Sequence, residues 1–135
     1  DDVLRTMNAF IEMGVEITEE EEKIIINGKG LGSLKKPNKE IYLGNSGTSA
    51  RLLTGLLSSQ NFESVLTGDK SLSSRPMKRI TNPLSEMGAE IISQNGKLPL
   101  HIKGKNLNNC KIKIDIPSAQ IKSGLILLIF SIEIR

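Results

Sequence analysis

Asn8-Ala9-Phe10-Ile11-Glu12-Met13-Gly14-Val15-Glu16-Ile17 aligns without a gap on Asn82-Pro83-Leu84-Ser85-Glu86-Met87-Gly88-Ala89-Glu90-Ile91, 74 residues later. Self-similarity at a fixed distance is the mark of an architecture built from related units, and here it organises the whole chain. In both copies a polar stretch follows, then a short apolar-alternating run that ends at glycine: Lys23 to Gly28 and Leu98 to Gly104.

Each copy opens as a helix. Val3, Leu4, Met7, Phe10 and Ile11 recur near helical spacing and Gly14 is a suitable stop. In the second copy Pro76 suits a first helical turn, and Met77, Ile80, Leu84 and Met87 form the stripe expected to be buried before Gly88. Short β-like runs come next, Val15 to Thr18 and Ala89 to Ser93, with Asn27-Gly28 and Asn95-Gly96 as turn signals. The sequence then predicts a strand Ile41-Tyr42-Leu43 leading through Gly44 to Thr48 into a helix from Ser49 to Ser58. Its counterpart is a strand Ile112 to Ile116 leading through Pro117 to Gln120 into a helix from Ile121 to about Phe130. Phe62 to Thr67 reads as a further strand. The expected fold is mixed α/β (α+β), with unit A over about 1–67 and unit B over about 68–135.

The chain's 135 residues, 38% apolar and 24% charged, are enough for one hydrophobic core and argue against disorder. The most apolar run, Gly124 to Ile132, is about half the roughly 20 residues of a membrane span, so no membrane role is expected. No signal peptide is visible at Asp1-Asp2-Val3, and Cys110 has no second cysteine to pair with, so a cytoplasmic location is expected. A net charge of +3 with four aromatic residues is too mild for a nucleic-acid partner but suits small anions. Two features read as a piece of a longer protein: an opening that is already helical, and an apolar end after Ser123 with no terminator.

The chemistry concentrates in three turns. Gly44-Asn45-Ser46-Gly47-Thr48-Ser49-Ala50-Arg51 has the composition of an anion site at a helix start, where free backbone N–H groups and the positive dipole end favour phosphate or carboxylate. Thr48 or Ser49 could cap the helix or bond an oxyanion; an ordinary capped helix after a glycine turn explains the same residues. Without a lysine after the last glycine it is not a P-loop. Ser118-Ala119-Gln120 offers a hydroxyl and an amide that suit a polyhydroxylated ligand, and a serine cap is the plainer account. Arg75 could form a bidentate pair with phosphate or carboxylate, while Lys78 and Arg79 read as a solvated face. His101 has no ligand set at metal spacing, and Glu19 to Glu22 reads as a solvated acidic turn.

At these turns the sequence resembles the 5-enolpyruvylshikimate-3-phosphate synthase (3-phosphoshikimate 1-carboxyvinyltransferase) family. Leu43 to Arg51 is similar to one family signature, and Leu66-Thr67-Gly68-Asp69 with Ser74-Arg75-Pro76-Met77 to the second. Ser118-Ala119-Gln120-Ile121-Lys122-Ser123 is similar to the substrate-binding turn. The resemblance implies an inside-out α/β barrel of repeated βαβαββ units, nearly two of them present, whose helix N-termini face a cleft between two domains. It implies transfer of the enolpyruvyl group of phosphoenolpyruvate to the 5-hydroxyl of shikimate 3-phosphate in the shikimate pathway, with phosphate released and no metal or other cofactor. Asn45, Gly47, Arg75 and Gln120 are implied in binding phosphoenolpyruvate, and Ser118, Ala119 and Gln120 in binding shikimate 3-phosphate.

Departures from the family pattern shape the expectation. The family's N-terminal Lys-Ser…Arg segment and the acid-base groups of a second domain are absent, Leu52 replaces a frequent proline, and Ile129 to Arg135 does not continue the pattern. The chain is therefore expected to carry no catalytic group, to hold half of an active site, and to need the missing second domain for turnover. Small Gly47 also implies sensitivity to glyphosate in a complete enzyme. Two other readings stand beside this one: a relative acting on UDP-N-acetylglucosamine, and a non-catalytic repeat module that docks through the Leu125 to Ile132 face.

Overall fold

Glycine ends the first helix of each copy as expected. In the computed structural model, which describes residues 2–107 and 118–133, α1 (Asp2–Glu12) is followed by Gly14 at φ +88° and α4 (Lys78–Glu86) by Gly88 at φ +96°. A side chain at either would force a strained left-handed backbone. Hairpins follow at the same 74-residue offset: β1 (Glu16–Glu20) with β2 (Lys23–Asn27), and β5 (Glu90–Gln94) with β6 (Lys97–Lys103). Even the turns correspond, because Glu21 and Asn95 both take positive φ, 39° and 53°. Asn95-Gly96, both at positive φ, makes the tight turn its composition predicts. Asn27-Gly28 does not turn a hairpin, and Glu19 and Glu20, expected in an acidic turn, belong to β1.

Between the copies, β3 (Ile41–Tyr42) runs into α2 (Gly47–Ser58), and β4 (Glu63–Thr67) returns parallel to β3. Parallel strands need such a crossover, which lays α2 across the sheet. A short helix, α3 (Lys70–Ser74), capped by Asp69, separates β4 from α4; the sequence reading has no counterpart to it. The sheet order is β3-β4-β6-β5, with β6 antiparallel to both neighbours, while β1 and β2 form a separate pair. The last described element is α5 (Ala119–Glu133), which begins two residues earlier than expected. Cys110 and the expected strand Ile112 to Ile116 lie outside the described residues.

One core joins Met13, Leu43, Leu57, Leu66, Leu72, Met77, Ile80, Leu84, Leu100 and Ile102, all buried. The α4 stripe is as expected, but Val3, Leu4 and Ile11 of α1 are exposed and only Ala9 of that helix is buried. Helix α2 is buried over most of its surface, so its polar side chains bond inside the helix: Thr54 Oγ1 donates to the Ala50 carbonyl (2.6 Å) and Ser58 Oγ to Thr54 (2.7 Å). α2 and α5 meet at two glycines. A Cβ on Gly55 would fall onto the carbonyl of Gly124, and one on Gly124 would come within 2.9 Å of the Arg51 carbonyl. Leu125, expected on an exposed docking face, is buried, whereas Ile126 is half exposed. No described helix is long and apolar enough to cross a membrane.

Candidate functional site at two helix starts

Parallel strands end where the βα turns gather, which is where open α/β sheets place ligands. Here β3 turns through Gly44 into α2, and β4 turns through Gly68 and Asp69 into α3. The turns are tied together by the Asp69 N–H, which donates to the Gly44 carbonyl at 2.8 Å. Gly44 takes φ +56°, and a Cβ there would meet Arg5 Nε at 2.7 Å; Arg5 itself lies over the Tyr42 ring, 5.1 Å from its centre.

Ser46, rather than Thr48 or Ser49, caps α2: its Oγ accepts from the Ser49 N–H at 3.2 Å. The helix consequently starts at Gly47, two residues before the sequence-based boundary. A chain of hydroxyls continues from the cap, with Ser46 Oγ 2.7 Å from Ser49 Oγ and Ser49 Oγ 2.6 Å from Thr6 Oγ1. Its direction follows from donor arithmetic. Thr6 gives its one proton to the Asp2 carbonyl, so Ser49 must donate to Thr6, and Ser46 to Ser49.

Gly47 is buried between two guanidinium groups. A Cβ built on it would lie 2.9 Å from Arg51 Nη1 and 2.9 Å from Arg75 Nη1. Arg75 follows α3 and donates from Nη2 to Asn45 Oδ1 at 2.7 Å, so Asn45, Gly47 and Arg75 are brought together as anticipated. Arg51, which the sequence offers only as part of the motif, contacts both turns. It stands one helical turn after Gly47 on the same face of α2, a spacing that could have exposed it. Partial burial holds the Arg51 guanidinium below its ordinary pKa, and the nearby charges of Arg75 and then Arg79 add to this. The side chain of Arg79 is exposed, as a solvated face predicts, while its charge contributes to the lowered pKa of Arg51. Among the described residues no carboxylate forms an ion pair with any of the three arginines. Concentrated positive charge beside a helix N-terminus, with no counter-ion among the described residues, is suited to an anion.

The second turn reaches this cluster through Gln120. Arg51 Nη1 donates to Gln120 Oε1 at 3.0 Å, and Gln120 Nε2 donates to Thr48 Oγ1 at 2.9 Å. Ser118 caps α5 more loosely, its Oγ accepting from the Ile121 N–H at 3.4 Å, and Ala119 is exposed at the helix start. His101 is exposed on β6, and no group of three or more His, Cys, Asp or Glu among the described residues could hold a metal. A groove of about 680 Å³ lies elsewhere, between α1 and the β1–β2 hairpin. Its lining includes Val3, Met7, Phe10, Ile17 and Ile26, and it reaches the α2 start only at Thr48 and Ser49. Its lining is mainly apolar, and its two charged residues, Lys29 and Asp2, are of opposite sign.

The profile of one family, EPSP synthase (3-phosphoshikimate 1-carboxyvinyltransferase), matches residues 1–133. The chain belongs to the EPSP synthase family. It is 52% identical over 128 residues to the 3-phosphoshikimate 1-carboxyvinyltransferase of Ruthia magnifica, covering 94% of this chain and 29% of that protein. To the enzyme of the same name from Citrifermentans bemidjiense it is 49% identical over 129 residues, covering 94% and 30%. A solved EPSP synthase from Acinetobacter baumannii superposes with a TM-score of 0.87 at 46% identity, over 93% of this chain and 29% of that one. The fold is thus that of the EPSP synthases, the inside-out α/β barrel expected from the sequence. The chain spans about 30% of the length of the relatives that it matches.

Proposed function

We propose that this chain forms part of an enzyme that moves the enolpyruvyl group of phosphoenolpyruvate onto the 5-hydroxyl of shikimate 3-phosphate, and that it supplies anion-binding surface for both substrates. The observation carrying this reading is the pair Arg51 and Arg75 around Gly47, with the charge of Arg79 near Arg51, without a protein counter-ion among the described residues and joined to the α5 turn by Gln120. Asn45, Gly47, Arg75 and Gln120 are assigned to phosphoenolpyruvate, and Ser118, Ala119 and Gln120 to shikimate 3-phosphate.

In that reaction the methylene of phosphoenolpyruvate gains a proton as the hydroxyl oxygen bonds to its neighbouring carbon and gives up its own proton. The resulting tetrahedral adduct then loses phosphate and a methyl proton. The part assigned here is electrostatic: fixed N–H groups and guanidinium charges hold phosphate and carboxylate in place as charge moves. Acid-base groups would come from the remaining length found in the relatives, so the 135 residues alone are expected to give no turnover. The division into unit A (about 1–67) and unit B (about 68–135), and a cytoplasmic location, belong to the same proposal.

Titration calorimetry tests it directly. Shikimate 3-phosphate and phosphoenolpyruvate are expected to bind the chain, and UDP-N-acetylglucosamine to give no heat. Heat from the sugar nucleotide alone would transfer the assignment to the related enolpyruvyl transferase. Silence with all three ligands would favour a non-catalytic repeat module.

A further inference from the structure

The amide of Gln120 has two ends, and both are held by side chains of α2. Arginine only donates, so the Gln120 atom that faces Arg51 Nη1 must be its oxygen, and the nitrogen is thereby turned to Thr48 Oγ1. Arg51 cannot swing away freely, because the same Nη1 also donates to the Gly47 carbonyl at 3.1 Å. That nitrogen has two protons, and both are committed. The backbones behind these side chains are fixed as well, since α2 and α5 touch at Gly55 and Gly124, where neither chain can tilt toward the other.

The geometry points to Thr48 and Arg51 as positioning residues that lock the Gln120 amide in one orientation. This leaves one Gln120 N–H, and the Thr48 hydroxyl proton, free to meet a ligand. The inference rests on the assignment of Gln120 to substrate binding above, and it adds a positioning role for Thr48 and Arg51. Thr48 acts through its oxygen as an acceptor, so serine can replace it and the isosteric valine cannot. In the lock Arg51 acts through the two-proton geometry of one nitrogen.

The test has a ligand-free arm and a ligand arm. In ¹⁵N–¹H spectra of the free chain, the Gln120 side-chain amide pair, assigned by its loss in Gln120→Ala, is expected to be well separated from that of exposed Gln94. Thr48→Val should bring it to the Gln94 values, and Thr48→Ser should leave it in place. A Gln120 pair that resembles Gln94 in the parent chain, or that ignores Thr48→Val, would overturn the lock. In the ligand arm, Thr48→Val is expected to weaken shikimate 3-phosphate binding about fivefold, the size of one neutral hydrogen bond, with Thr48→Ser within about twofold of the parent. Equal binding by the parent and Thr48→Val would overturn the positioning role. No binding by the parent would instead defeat the proposed function, and the amide spectra would still decide the lock.

Discussion

The two helix–hairpin copies start from similar sequence and finish in different surroundings. Ile26 of β2 and Leu100 of β6 are 74 residues apart, so they stand at matching positions, yet Ile26 is 60% exposed and Leu100 0%. Every residue of β2 is exposed, whereas Leu98, Leu100 and Ile102 of β6 lie in the core. The difference is β4, which pairs along the free edge of β6 and brings α2 and α3 with it; β2 pairs only with β1. Alternation along a strand sets which residues share a face, but burial depends on what the neighbouring segment supplies. The helix starts show the same asymmetry. α2 begins in a buried lattice of hydroxyls, and α5 begins on one long cap bond and the Gln120 bridge.

Breaking the contact where the copies meet should have the largest effect. Gly55→Ala puts a methyl on the Gly124 carbonyl, and a backbone atom cannot rotate away. A loss of about 3 kcal/mol or more in urea unfolding is expected. The matched hairpins come next. Leu100→Ala should cost about 3 kcal/mol through the cavity it leaves, and Ile26→Ala less than about 0.5 kcal/mol; equal losses would mean that β2 is covered in solution.

A third comparison sets Gly47 against Ala119, each the first residue of its helix. Gly47→Ala must displace both guanidinium groups, so phosphoenolpyruvate and glyphosate binding should each fall about tenfold, or about 1.4 kcal/mol. Ala119→Gly should change either by less than about twofold. Unchanged glyphosate binding in Gly47→Ala would refute the steric argument. Caps give a smaller contrast in thermal melts: about 1 kcal/mol for Ser46→Ala and less than about 0.5 kcal/mol for Ser118→Ala, whose bond is longer.

The smallest effect concerns Glu90, whose counterpart Glu16 has no ion-pair partner among the described residues. The hydrogen bond from Lys105 (2.9 Å), then the charges of Lys105 and Lys103, hold the Glu90 carboxyl below its usual range. A lowered pKa stabilises the fold above the ordinary carboxylate value, and that contribution fades as pH falls through the lowered one. Glu90→Gln should therefore lower the melting temperature slightly at neutral pH and not at all in strong acid, the effect staying small because the pair is exposed.

Helix ends marked by Gly14 and Gly88, the Asn95-Gly96 turn and the buried stripe of α4 were legible because each is decided by neighbours in sequence. α3 was not, since five residues give no helical period, and its only local signal is Asp69 before Leu72. Asn45, Gly47 and Arg75 were found through motif resemblance, and the structure brings them together. The contacts of Thr48 and Arg51 with Gln120 bridge about 70 residues, a separation over which periodicity carries no information.

The one-way run from Ser46 through Ser49 and Thr6 to the Asp2 carbonyl has a consequence for selectivity. With all three protons committed along the run, these hydroxyls have none left to offer an arriving group. An anion placed at the mouth of α2 would therefore meet guanidinium protons rather than the hydroxyls of Ser46, Ser49 or Thr6.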